Sequence, residues 1–241
     1  MKTIGMIGGI GPDSTVDYYK LLLEGYRART KEDCQPQIVI NSVDMRRLVR
    51  IMNAGDHIQL IEWFSAELSK LADAGAEIGL LASNTPHIVF DELSQRSTIP
   101  LVSIVEATAE RAGEMRLSKL ALFGSGFTMK ASFYPAAFAK RGMAVIMPTP
   151  DEQGWIHEHY MNELAYGIFK SETRDRLVAI ACRMRKDSGV EGLILGGTEL
   201  PLLLRDSNCG MPLLDTTKIH VEAVMKVAWE GSRQPSAISH Q

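Results

Sequence analysis

Cysteine is scarce in this sequence: Cys34, Cys182 and Cys209 are the only three among 241 residues. They show no metal-ligand spacing and an odd number cannot all pair, so the chain encodes neither a metal site nor a disulfide framework. A reducing cytoplasm is the expected setting. Basic clusters are missing too. No run of Lys or Arg exceeds a pair, and the net charge is −3 with a pI near 6.1. The electrostatic footprint of a nucleic-acid or membrane-surface partner is therefore absent. No apolar run approaches the roughly 18 residues of a membrane helix. The opening MKTIGMIGGIG has too short an apolar stretch for a signal peptide and reads as a first strand. What remains, 45% hydrophobic and 23% charged, is ordinary for a soluble globular chain. The length suits one large domain or two of about 120 residues.

Strand-like runs alternate with amphipathic stretches. Residues 4–8, 37–43, 78–82 and 100–105 read as strands in the first half, and 120–124, 143–148, 192–196 and 211–215 in the second. Between them, 14–29 and 57–74 have helical spacing, with Ile58, Ile61, Phe64, Leu68 and Leu71 on one face. Alternation of this kind predicts an α/β fold with parallel sheets covered by helices.

The halves also align by position. Gly75-Ala-Glu77 lies eight residues before Ser83, and Gly189-Val-Glu191 lies eight before Gly197. Gly8 and Gly124 precede the same two positions by 75 and 73 residues, and Pro100 and Pro212 follow them by 17 and 15. This predicts two similar α/β halves related by a pseudo-twofold axis, 1–112 and 113–230. Segment 213–230 is a candidate to cross back onto the first half, and 231–241 is expected to form a loose tail. Ligands of parallel sheets bind outside the carboxyl ends of the strands. The loops 8–15, 83–87, 124–129 and 197–201 should therefore converge on a cleft between the halves.

GGIGPDST, residues 8–15, invites a dinucleotide reading that its details reject. The third glycine position is Ser14, Pro12 removes an amide donor, and the next acidic residue at a strand end is Asp44. A seat for a carboxylate fits better, built from Gly9, the helix N-terminus and the hydroxyls of Ser14 and Thr15. The alternative is a plain strand-to-helix turn capped by Asp13 or Ser14.

GGIGPDSTVDYY (8–19), ASNTPH (82–87), FGSGFTMKASFY (123–134), GGTELPLL (196–203) and DTTKIH (215–220) together resemble the aspartate/glutamate racemase superfamily. The resemblance spans nearly the whole chain. It implies amino-acid isomerisation without pyridoxal phosphate or any other cofactor, a small carboxylate or amino-acid ligand, and a homodimer. It also implies a two-base mechanism with one cysteine in each catalytic loop. Here those positions hold Ser83 and Gly197. Racemisation needs a base and an acid on opposite faces of a tetrahedral carbon. A serine hydroxyl is too weak an acid unless a base activates it, and Gly197 has no side chain.

Other residues are candidates for the chemistry. The resemblance places His87 near the reaction centre, so it can serve Ser83 as acid-base partner or simply bind a loop. Glu199 is either a base or a residue that favours a helix N-terminus. His157 and His159 lie two apart and cannot share a helix face, so one of them can reach the cleft. Cys209 is the thiol nearest the second loop. Asn84, Thr85, Thr128 and Thr198 are candidates to bind a carboxylate, and Arg46 or Arg47 to reach a distal one. Three functions follow: an isomerase with atypical catalytic residues, a lyase or decarboxylase protonating from one side, or an inactive binding protein for an acidic metabolite. An engineered knock-out is a fourth reading of Ser83 and Gly197.

Overall fold

The computed structural model describes residues 1–30, 35–205 and 207–230; Cys34 and the tail lie outside them. Strands β1 (Ile4–Gly8), β2 (Ile38–Ser42) and β3 (Ile78–Leu81) form one parallel sheet in the order β2-β1-β3. Strands β4 (Lys119–Gly124), β5 (Ala144–Ile146), β6 (Gly192–Gly196) and β7 (Leu213–Asp215) form a second, in the order β5-β4-β6-β7. The central strands IGMIG and GLILG are buried at every residue, as strands covered on both faces must be.

Helices α1 (Pro12–Arg29), α2 (Met45–Ala54), α3 (His57–Asp73) and α4 (Phe90–Arg96) surround the first sheet, and α5 (Ile104–Glu114) follows them. Around the second lie α6 (Gly126–Lys130), α7 (Phe133–Ala139), α8 (Pro150–Asn162), α9 (Ser171–Ser188) and α10 (Leu200–Leu204), with α11 (Thr216–Glu230) last. The repeat noticed in the sequence has a physical cause. Gly75 (φ +90°) and Gly189 (φ +64°) turn the chain through the left-handed region. Two residues on, Glu77 and Glu191 accept the N–H groups of Thr3 (2.7 Å) and Ser118 (2.6 Å), tying each turn to its central strand.

The halves exchange helices. Ile104, Val105 and Ala109 of α5 pack with Leu120, Leu122 and Phe138 of the second half. Val221, Val224 and Met225 of α11 pack with Met6, Tyr18 and Leu80 of the first. A boundary at residue 112 therefore does not separate the two cores.

Several strands are shorter than the apolar runs suggest. The run 100–105 is reduced to one bridge, Gly79 to Leu101, because Ser103 caps α5 by accepting the Glu106 N–H. Its counterpart β7 begins only at Leu213, and β2 and β5 each lose residues at their ends. Ile58 does not join the buried face of α3: it is 71% exposed, while Phe64, Leu68 and Leu71 are buried. Leu60, Trp63 and Glu67 are buried instead, and Ile58 lies on the opposite side of the 3.6-residue turn from their centre.

Candidate active site

The four loops at the carboxyl ends of β1, β3, β4 and β6 do converge. They enclose a narrow cleft lined from both halves. Its apolar lining is Ile10, Met45, Leu48, Val49, Phe127 and Met161, and its polar lining is Ser83, Thr85, Ser125, Tyr160 and Glu199. Among the described residues no Lys, Arg, His or Cys lines it, and no cluster of three His, Cys, Asp or Glu suits a metal ion.

On the first flank, β3 runs out into Ala82 and Ser83, and Ser83 is 8% exposed. Behind it His87 is spent on the backbone. Its Nδ1 donates to the Ser83 carbonyl (3.0 Å) and its Nε2 accepts the Ile104 N–H (3.2 Å). Both nitrogens face main-chain groups, so the ring does not reach the Ser83 hydroxyl. Burial, and then the neighbouring His220, push its pKa down to about 3. His220 is itself buried between the Tyr18 hydroxyl (2.8 Å) and the Val102 carbonyl (2.9 Å), with its pKa down to about 4. Asn84 also turns inward: it accepts from Tyr134 (2.6 Å) and donates to Thr216 (3.3 Å), clamping the halves together.

On the second flank Glu199 is 2% exposed and stands at the N-cap of α10, but its side chain makes no capping hydrogen bond. One carboxylate oxygen accepts the Gly11 N–H (3.2 Å); the other accepts from Thr198 (3.2 Å) and from the Tyr160 hydroxyl. Gly11 permits this approach: a Cβ there would lie 2.7 Å from Glu199 Oε1 and would push the carboxylate aside. Among the described residues no cation compensates the carboxylate, and burial raises its pKa. Burial and the adjacent Glu199 likewise raise that of Tyr160.

Tyr160 explains the glycine at 197. A Cβ built on Gly197 would come within 2.8 Å of both Cζ and Oη of Tyr160. The phenol thus occupies the space that a residue-197 side chain would take, and the two exclude each other in this arrangement. A cysteine simply deleted from a working site would have left a gap. Helix α8 holds Tyr160 firmly: Thr149 and Glu152 form a reciprocal capping box, and Arg183 clamps Glu152. The sequence drew attention to the flanking histidines and missed this tyrosine. Its signal was the pairing of a vacated loop position with an aromatic four residues beyond the buried Ile156.

The other candidates fall in different places. Gly9, Ser14 and Thr15 do not form an open carboxylate seat. The Gly9 N–H donates to Thr15 Oγ1 (2.8 Å), and both hydroxyls donate to the Gly11 carbonyl. Gly11, and neither Asp13 nor Ser14, is the N-cap of α1. A different polar group spans the halves. The hydroxyls of Thr85, Ser125 and Thr128 form a triangle with sides of 3.2, 3.3 and 3.3 Å. His157 accepts the Gly126 N–H (2.9 Å), and His159 stacks on Trp155. Arg46 is exposed and borders a neighbouring recess, while Arg47 lies over the Trp63 ring. Cys209 is buried in the second core with a raised pKa, 4% exposed and away from the cleft.

Residues 7–224 match the family model for Asp/Glu/Hydantoin racemases. The chain belongs to that family. Among solved structures, it is similar to an aspartate racemase homologue from Pyrococcus horikoshii OT3. That match has 32% identity and a TM-score of 0.81, covering 95% of this chain and 99% of that one. It is also similar to a putative Asp/Glu racemase from Yersinia pestis, at 30% identity and a TM-score of 0.85, with the same coverage. The aspartate racemase of Picrophilus torridus shares the fold at 19% identity and a TM-score of 0.71, covering 95% of this chain and 94% of that one. The racemase-like assignment thus rests on nearly the full length, and among the described residues the two racemase loops close on a cleft lined by no thiol. Among the described residues no helix is long and apolar enough to cross a membrane.

Proposed function

We propose that this racemase-family protein is a cofactor-independent isomerase moving a proton at the α-carbon of a small amino acid. The Tyr160–Glu199 pair is the effective acid-base group. The observation that carries this reading is the Tyr160 phenol filling the side-chain space of position 197 while bonded to a buried, unpaired carboxylate. The C–H bond breaks as Tyr160 Oη takes the α-proton, and the phenol's own proton passes to Glu199. A carboxyl raised by burial is suited to hold that proton. Return of the proton along the same path regenerates both groups. The Thr85, Ser125 and Thr128 hydroxyls are the proposed donors to the substrate carboxylate, where negative charge builds up. Thr198 holds Glu199, and His87 and Asn84 position the first loop.

Ser83 lines the cleft from the other catalytic loop; in this reading it serves the second face, and with no base at its hydroxyl among the described residues, delivery from that face is slow. Exchange of the α-proton should therefore outrun inversion. The same one-sidedness favours a second reading, a decarboxylase or lyase protonating from the Tyr160 side only. The site needs no thiol or disulfide, which suits a reducing cytoplasm; the family resemblance further suggests a homodimer.

Proton NMR in deuterated water tests the reading. Tyr160→Phe and Glu199→Gln are each expected to abolish α-proton exchange while a bound amino acid is still detected. Loss of a carboxyl group or formation of an alkene would select the second reading, and full exchange by Tyr160→Phe would remove both.

A further inference from the structure

Resting on that reading, we infer that the substrate is an amino acid with a neutral, apolar side chain rather than an aspartate- or glutamate-like dicarboxylate. The reason is the chemistry of the cleft lining around the catalytic pair. Substrate polar groups have a place at the hydroxyl triangle and at the Tyr160–Glu199 pair. The side chain must then lie against Ile10, Met45, Leu48, Val49, Phe127 and Met161. This surface offers no cation and no hydrogen-bond donor from its side chains.

A second carboxylate placed there would be stripped of water with nothing to pair it, in a cleft whose only ionisable groups among the described residues, Glu199 and Tyr160, are themselves acids. Nearby cations do not rescue it. Arg46 is exposed beside a separate recess that meets the cleft only at Met45 and Ala165. The Arg47 guanidinium is held 4.6 Å from the Trp63 ring centroid. An apolar side chain, by contrast, gains with each methylene it buries, about fourfold in affinity per group. Specificity therefore resides in the α2 face carrying Met45, Leu48 and Val49, together with Phe127 and Met161.

The experiment pairs binding with turnover. Ligand-observed NMR and calorimetry measure affinity for alanine, 2-aminobutyrate, leucine, methionine, aspartate and glutamate, both enantiomers of each. Exchange in deuterated water is followed on the same set. Affinity should rise from alanine through 2-aminobutyrate to leucine or methionine. Aspartate and glutamate should bind on the order of a hundredfold more weakly than the best apolar acid. Arg46→Ala should leave that ranking unchanged, and Met45→Lys should shift it toward glutamate. Tighter binding of aspartate or glutamate, a ranking that depends on Arg46, or no binding by any member overturns the inference. Apolar acids that bind but never exchange would instead overturn the catalytic reading and leave the substrate class standing.

Discussion

The two flanks of the cleft occupy corresponding places in the two halves and carry opposite equipment. On the first, a hydroxyl remains at position 83, but the nearby histidine is tied to main-chain groups on both nitrogens. On the second, position 197 has lost its side chain altogether, yet a phenol and a buried carboxylate occupy the space. A residue present at the expected position is no guarantee of function, and its absence is no proof of loss. What decides the matter is whether a proton can be passed on. Serine has nowhere to send one, and Tyr160 has Glu199.

Four perturbations would break or sharpen this contrast. The largest effect is expected on the second flank: Glu199→Gln or Tyr160→Phe should lower α-proton exchange by about 10²- to 10⁴-fold, the range for loss of a general acid-base group. Exchange by the intact protein should also fall as pH drops through the raised Glu199 pKa, because the carboxylate must be ionised to accept the phenolic proton. Rates followed by NMR across a pH series check both.

Next comes the acid sensitivity of the first flank. His87 and His220 are buried and neutral, with pKa values lowered to about 3 and about 4. The unfolded chain takes up protons on both below about pH 6.5, whereas the folded chain does so only near the lowered values. Their contribution is therefore complete above about pH 6.5 and is lost as pH falls towards 4, by about 3 kcal/mol each at pH 4.5. Urea unfolding at several pH values measures this, and His87→Gln should flatten the curve.

A smaller effect is expected from Gly197→Ala, which forces the phenol aside. Stability should fall by about 1–3 kcal/mol, and exchange should fall with it. Adding Tyr160→Ala should recover the stability without the exchange, a coupling that a double-mutant cycle resolves. The smallest change in exchange belongs to Ser83→Ala, which should leave it almost intact while removing residual inversion. Chiral chromatography beside the NMR measurement separates the two.

Much of the architecture was legible in the residues. The Gly-x-Glu repeats, the apolar strand runs and the position of the cleft follow from spacing and strand polarity, both of which are local. The reciprocal packing of α5 and α11 was half visible, since an apolar helix does not announce which sheet it covers. The site was less legible. That Ser14 and Thr15 bond to the Gly11 carbonyl rather than to a ligand depends on loop geometry. Tyr160 was invisible because the spacing that matters runs from α8 to the end of β6, across the fold. Ile58 shows the same limit on a smaller scale: it is apolar but lies off the centre of the buried face.

The most direct test of the account is the ratio of exchange to inversion for each enantiomer of a bound apolar amino acid in deuterated water. One enantiomer should incorporate deuterium quickly and keep its configuration, in a reaction that Tyr160→Phe abolishes, while its mirror image exchanges slowly. Equal incorporation by both enantiomers, with inversion at every turnover, would contradict the unequal flanks on which the account stands.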